Sequence, residues 1–330
     1  MNLQEMSYRE ALREAMREEM QRDPAVWLLG EDIGVYGGSF KVTLGLLDEF
    51  GERRVRETPI SESAIIGTAA GSAMTGLRPV AEMMFSDFIT LGMDALVNHA
   101  AKFRYMSNGQ VQIPMVVRLP SGSGTGAGAQ HSQSLEAWFC NVPGLKVCAP
   151  STPAQAKGLL KSAIRDNNPV VFIEYKTLYD TRGLVPQEDN YIIPLEESYI
   201  ERRGSDITVV SWGPALLETI KAVRMLAQEG ISCEIINPLT LYPMDMDPIF
   251  ESVKKTSRLV IVHDSQKTGG VGGEIAARVA ENDCFNYLDS PIVRIGGLDT
   301  PVPVAENLER QMVPDAGVIA DGIYTALGLD

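Results

Sequence analysis

The sequence predicts two α/β domains in succession, each a parallel sheet covered by helices, and three observations predict it. Short apolar runs alternate with segments of helical period along most of the chain, which is the βα alternation of a parallel sheet. At 330 residues and 45% hydrophobic content the chain exceeds what one core serves comfortably. Between the two halves the pattern dissolves into TRGLVPQEDNYIIPLEESYIERR, charged and punctuated by proline. That stretch predicts a first domain over 1–180, a linker over 181–203 and a second, smaller domain over 204–330.

Ser7 and Glu10 have capping-box spacing and open a helix with Ala11, Leu12, Ala15, Met16 and Met20 on one face. Apolar runs at 26–29, 80–85, 113–119, 145–149 and 170–173 predict buried strands, with a helical segment over 93–106. Thr152 followed by Pro153 is a cap and first-turn pair for a helix reaching Arg165. In the second domain, strands are expected at 207–211, 232–236, 259–262 and 292–295, with helices between them. The one glycine-rich tract is SGSGTGAGA at 121–129.

No apolar run approaches the roughly 20 residues of a membrane span. The start, MNLQEMSYREALREAMREEM, is charged and amphipathic, unlike a signal peptide, so a cytoplasmic location with no membrane partner is expected. Cys140, Cys148, Cys233 and Cys284 are scattered in apolar surroundings without a C-x-x-C, which predicts buried thiols rather than zinc. A net charge of −14 argues against nucleic acid and for solubility or a basic protein partner.

Glu62 stands where an apolar strand end meets a glycine-rich helix, in RRVRETPISESAIIGTAAGSAMTGLRPVAEMMFSDF at 53–88. Its neighbours Ile60, Ala64, Ile65 and Ile66 suit a desolvated carboxyl with a raised pKa. A charge that merely favours a helix N-terminus is the simpler local reading. Ser63, Gly67, Gly71 and Thr75 recur every fourth residue and make a stripe of small residues, suited to a subunit interface or to packing within the domain. His131 follows the glycine-rich tract, in GAQHSQ, with neither P-loop nor dinucleotide spacing around it.

These segments resemble the β subunit of the E1 component of 2-oxoacid dehydrogenase complexes, over essentially the whole chain. The resemblance implies a transketolase-like pyrimidine-binding domain for thiamine diphosphate, followed by a transketolase C-terminal-type domain. It implies that Glu62 is the acid beside the aminopyrimidine, where proton sharing favours the imino tautomer. Ile60, Phe85 and Phe88 join Glu62 as cofactor-binding residues, Phe88 matching the stacking aromatic and Phe85 serving equally as core. Glu31 matches an acid in a hydrogen-bonded chain linking two active sites. His131 matches a residue at the substrate end, where its titration near neutrality suits contact with a carboxylate or acyl group. Met115, Ala163, Ile164, Asp166 and Asn168 match a structural K+ site, though an ordinary helix C-terminus accounts for them too. His99 reads as structural, and His263 is given no role.

No Gly-Asp-Gly occurs in the chain, so the diphosphate and Mg2+ ligands of such enzymes are expected on a partner α subunit, in an α2β2 heterotetramer. The reading is pyruvate dehydrogenase-type E1 β, acting on pyruvate and acetylating the lipoyl group of an E2 dihydrolipoyl acyltransferase. Acids such as Glu251, Asp283, Asp289 and Asp330 would dock its basic subunit-binding domain. AAKFRYM at 100–106 looks like acetoin dehydrogenase, while GGSFKVTLGL at 37–46 and KTGGVGGE at 267–274 look like pyruvate dehydrogenases. Gln130 stands where branched-chain relatives usually carry tyrosine. A noncatalytic α/β binding module is the alternative of a different class.

Overall fold

A computed structural model describes residues 2–329. Its chain forms two compact units, one ending at Ser121 and resuming over Trp138–Leu195, the other made of Gly122–Ala137 and the chain from Glu196 onward. The division at Leu195 falls inside the stretch expected to be a linker. That stretch is not without structure: it supplies strands at Arg182–Pro186 and Tyr199–Arg202. Their pairing is with distant partners, which local pattern does not reveal.

In the first unit, β1 (Leu3–Ser7) leads into helix α1 (Tyr8–Arg22). The capping box at Ser7 and Glu10 forms, with Ser7 N donating to Glu10 Oε2 at 2.7 Å and Glu10 N to Ser7 Oγ at 3.3 Å. The strands β2 (Val26–Gly30), β3 (Val55–Glu57), β4 (Arg78–Glu82), β5 (Val116–Ser121), β6 (Lys146–Cys148) and β7 (Val170–Tyr175) follow. Within this unit they lie in the order β6-β7-β5-β4-β2-β3, and these neighbours pair in parallel. β5 and β7 are buried along their whole length, as parallel strands covered on both faces must be. β8 (Arg182–Pro186) returns to pair antiparallel with β1, Leu3 opposite Pro186.

Helix α2 (Glu62–Met74) follows β3, and α3 (Pro153–Arg165) is capped by Thr152 with Pro153 in its first turn, as the sequence predicts. α1 and α3 pack together through a polar seam. Lys157 pairs with Glu14 at 3.0 Å and Glu18 at 2.7 Å, Lys161 with Glu18, and Arg165 with Glu19 at 2.6 Å. Acids and bases each recur about one turn apart, so the two charged stripes face each other. Both lysines are buried, and each is therefore committed to its partner.

In the second unit β9 (Tyr199–Arg202), β10 (Ile207–Ser211), β11 (Cys233–Asn237), the short β12 (Thr240–Tyr242), β13 (Leu259–Gln266) and β14 (Val293–Gly297) alternate with helices. Five of them form a sheet in the order β14-β13-β10-β11-β9, parallel except for β9 at one edge. Helices α4 (Gly213–Gln228) and α7 (Ala316–Leu327) close its main core, where Leu216, Val223 and Leu226 meet Ile319 and Ile323 beside Val209, Ile235 and Val262. α5 (Asp247–Thr256) packs on β10 and α6 (Val271–Ala280) on β13. Among the described residues no helix is long and apolar enough to cross a membrane. None of the four cysteines is in a disulfide, and three of them are buried.

Candidate active site

The strands of the first unit end together, and its acids gather at that edge. β2 ends at Gly30, just before Glu31, and the register sets Gly30 beside Glu57 of β3 and Glu82 of β4. In an open parallel sheet the carboxyl ends of the strands line the ligand crevice. Thr58 N donates to Gly30 O at 2.9 Å, so the chain turns out of β3 at once and Glu62 becomes the first residue of α2. Glu62 is half-buried. Its expected apolar enclosure is only partly present: Ile65 and Ile66 are buried, whereas Ala64 is exposed and Ile60 is 76% exposed. Ile60 lies ahead of the helix, and helical period turns Ala64 outward while Ile65 and Ile66 face the sheet.

Glu31 is also half-buried. Burial raises the pKa of its carboxyl, with further contributions from Asp32 and from Glu62. Thr58 adds a hydroxyl that is shielded from solvent and has no hydrogen-bond partner among the described residues.

The aromatic residues form a row behind this edge. Phe88 meets Phe85 edge-to-face at 5.9 Å, Phe85 meets Phe40 at 5.7 Å, and Phe40 stacks on Tyr179 at 4.9 Å. Lys176 Nζ stands 5.3 Å from the Phe85 centroid. Phe85 is thus an interior member of the row and Phe88 its end. The helical turn after Phe88, Ile89–Met93, crosses the start of α2 closely: a Cβ on Gly92 would stand 2.9 Å from Ile66 Cγ1 and 3.3 Å from Glu62 O. Ser63 Oγ donates to Leu91 O across the same contact.

Beneath the acids lies a buried ionic cluster that no local motif announced. Arg118 of β5 donates to both oxygens of Glu174 on β7 and to Glu82 on β4, and Tyr179 Oη donates to Glu174 Oε2 at 2.8 Å. Burial raises the pKa of Glu82 against the pull of Arg118. Burial also pushes up the phenols of Tyr179 and Tyr8.

The stripe Ser63, Gly67, Gly71 and Thr75 is exposed along its length, with nothing within 4 Å of a Cβ placed on Gly67 or Gly71. Ser63 meets Leu91 within the unit, whereas Gly67 and Gly71 meet nothing there. The five residues expected to hold K+ do gather where α3 ends and β7 begins, but their oxygens are not left facing outward. Met115 O accepts from Val170 N at 2.9 Å, Ala163 O from Asp166 N at 3.3 Å and Ile164 O from Arg78 Nη1 at 3.0 Å. The Asp166 carboxylate pairs with Lys146 at 2.8 Å, and Asn168 Oδ1 accepts from Arg104.

His131 belongs to the second unit and is half-buried, in a loop closed by Gly122 N donating to Gln133 O at 3.1 Å. His99 is exposed, 3.3 Å from Asp94 and stacked on Phe103. His263 is fully buried against Trp212, and burial lowers its pKa to about 4. Glu251, Asp283 and Asp289 are exposed on the second unit, while Asp330 lies outside the described residues.

Two family models cover these two units. The transketolase pyrimidine-binding domain matches residues 4–181, and the transketolase C-terminal domain matches residues 196–319. The pyruvate dehydrogenase E1 component subunit beta of Rhizobium meliloti (strain 1021) is 48% identical over 96% of this chain and 69% of its own length. The chain belongs to the E1 β-subunit family. The 2-oxoisovalerate dehydrogenase subunit beta of Bacillus subtilis (strain 168), at 45% identity over 92% of this chain and 93% of its own, is similar to nearly the same degree. A solved structure described as a split gene transketolase, inactive beta4 tetramer, shares the fold with a TM-score of 0.80 at 22% identity, over 98% of this chain and 99% of that one. For an E1 β-type chain, the acids, the aromatic row and the unpartnered Thr58 hydroxyl fit the aminopyrimidine end of thiamine diphosphate. Among the described residues there is no group of three or more His, Cys, Asp or Glu that could hold a metal.

Proposed function

We propose that this E1 β-type chain forms an α2β2 heterotetramer with an α subunit and, in that assembly, decarboxylates pyruvate and reductively acetylates the lipoyl group of an E2 acyltransferase, whose disulfide accepts the two electrons as one sulfur takes the acetyl group. The observation that carries the reading is the sheet register, which ends β2 just before Glu31 beside the end of β3, from which the chain turns to Glu62 at the start of α2, with Phe88 on the turn after β4. Bound thiamine diphosphate supplies the carbon nucleophile and the electron sink for decarboxylation.

The chain's own residues act on protons and position. Glu62 holds a proton at the aminopyrimidine ring and exchanges it as the cofactor is activated. Glu31, at the end of β2, joins a hydrogen-bonded chain that links the two active sites of the assembly. Phe88 offers a ring face to the pyrimidine, with Ile60 as an apolar neighbour that becomes covered once a partner is in place. His131 donates to the substrate carboxylate or to the acyl group in transfer. The diphosphate and Mg2+ fall to the α subunit, and the exposed small-residue stripe of α2 gives a second subunit a smooth helix face to approach.

K+ at the end of α3 remains part of the proposal. Its support is the convergence there of carbonyl and carboxylate oxygens, which can each accept a second contact beside Arg78 and Lys146. The exposed Asp289 lines a surface groove with Phe285, Leu288, Pro291 and Ile292, and with Glu251 and Asp283 exposed on the same unit this suits a basic E2 segment. Reduced thiols fit a reducing compartment, which we read as the cytoplasm.

The test is co-expression with an α subunit that carries Gly-Asp-Gly, followed by turnover on pyruvate, acetoin and 2-oxoisovalerate. Pyruvate should be preferred. Preference for either other substrate overturns the substrate assignment, and tight Mg2+-dependent binding of thiamine diphosphate by the chain alone overturns the split site.

A further inference from the structure

From Gly122 to Gly128 every second residue is a glycine with positive φ: +88° at Gly122, +96° at Gly124, +68° at Gly126 and +76° at Gly128. The residues between them have no positive φ. This alternation turns successive N–H groups to one side and makes a backbone nest for an anion. The anion is the chain's own. Gly124 N donates to Glu309 Oε1 at 2.7 Å, Gly126 N to Oε2 at 2.8 Å, and Thr125 N to Oε1 at 3.3 Å.

Glu309 is only 3% exposed, although Gly124, Thr125 and Gly126 above it lie at the surface. A second pin stands nearby: a Cβ on Gly128 would meet Val304 Cγ2 at 2.9 Å. Three residues further on is His131, whose N–H donates back to Gly128 O at 3.2 Å. The backbone leading to His131 is thus held from below by one buried carboxylate, with the exposed Val304 side chain close against Gly128.

A run of four glycines has large conformational freedom, and ordering it in left-handed turns is entropically costly. Three converging N–H donors on a carboxylate offset that cost, since charge-assisted bonds are the strong ones. A neutral amide would not serve as well, because its NH2 would point a donor at donors.

We propose that Glu309 is a positioning residue: by filling this nest it holds the glycine loop in the conformation that presents His131. The proposal rests on the reading that His131 serves the acyl-transfer end of the reaction.

The test uses the αβ assembly with Glu309→Ala, Glu309→Gln and His131→Ala, in sodium formate against sodium chloride at equal ionic strength. Glu309→Ala should speed hydrogen exchange at the amides of residues 124–126 and lower lipoyl acetylation roughly tenfold or more, the scale of a misplaced group. Formate, a two-oxygen acceptor that fits the vacated space, should restore both. Glu309→Gln should lose acetylation without formate rescue, because its amide still fills the nest, and it carries the test if Glu309→Ala fails to assemble. Combined with His131→Ala, Glu309→Ala should add less than about a twofold further loss. Unchanged exchange, wild-type acetylation in Glu309→Gln, or losses that multiply with His131→Ala would each overturn the proposal. Wild-type assembly that turns over none of the three substrates would instead sink the functional reading, while the exchange measurement still decides the nest.

Discussion

Arg118 and Glu174 form a two-pronged ion pair inside the first unit, Nε to Oε1 at 2.6 Å and Nη2 to Oε2 at 2.8 Å. Arg118 lies opposite Phe172 in the register, so Glu174, two residues along β7, projects on the same face. Its remaining Nη1 reaches Glu82, directly opposite on β4. One guanidinium therefore spans three strands immediately below the site's carboxyl edge.

Replacing Arg118 by methionine should leave two buried carboxylates without their cation. The expected loss is about 3–5 kcal/mol, measured by urea unfolding. Adding Glu82→Gln and Glu174→Gln to the same chain should recover much of it, since the unpaired charge and not the lost contact dominates. A loss under about 1 kcal/mol in the single variant would mean that the cluster is hydrated.

Glu62→Gln in the assembled enzyme should keep thiamine diphosphate affinity within about tenfold while lowering turnover by roughly a hundredfold or more. Proton exchange at the cofactor's reactive carbon is the direct readout. Exchange at the wild-type rate would remove Glu62 from the activation step.

Asp264 should make stability depend on pH. Burial raises its pKa from 3.8 to about 8, with Glu136 and Glu218 adding to the shift, beside a small cavity lined by Ser123, Ser132, Ser134 and Gln266. The folded state then holds a proton that the unfolded state releases. The stabilisation is full below about pH 4, falls as pH rises and is gone above about pH 8. Asp264→Asn should flatten that decline in denaturation curves taken from pH 5 to pH 9, and an unchanged slope would assign it to other groups.

Gly272→Ala tests the packing round His263. A Cβ at that position would stand 2.7 Å from Nε2, and the ring has little room to yield because it stacks on Trp212 at 5.2 Å and its Nδ1 lies 3.0 Å from Ser265 O. The expected destabilisation is about 1–3 kcal/mol by urea unfolding. In a His263→Ala background the same substitution should cost much less, and equal costs in both would place the strain elsewhere.

The fold was legible where its signals are local. The capping box at Ser7 and the Thr152–Pro153 start depend on residues a few positions apart and stand where the pattern set them, while the strands expected at 80–85 and 113–119 form at Arg78–Glu82 and Val116–Ser121, because the bounds of a buried strand follow its neighbours in the sheet. What escaped depends on distance along the chain. β1 and β8 recognise each other across most of the first unit. The glycine tract has neither P-loop nor dinucleotide spacing around it, yet its donors are used, by a carboxylate from residue 309. Glu62, Glu31 and Phe88 were named through family resemblance, and the sheet register explains why they share an edge. Arg118 gave no sign in the sequence, since a lone arginine in an apolar run has no motif to mark what it pairs with.

The pairing of Leu3 with Pro186 also sets an order of events during synthesis. β1 leaves the ribosome before β8 and has no strand to lie against until β8 follows it. At roughly 5–20 residues per second, that wait is about ten to forty seconds. For that interval β1 is an open edge in a crowded cell, and its composition suits the delay: in LQEMS, Gln4 and Glu5 keep it polar until its mate is translated.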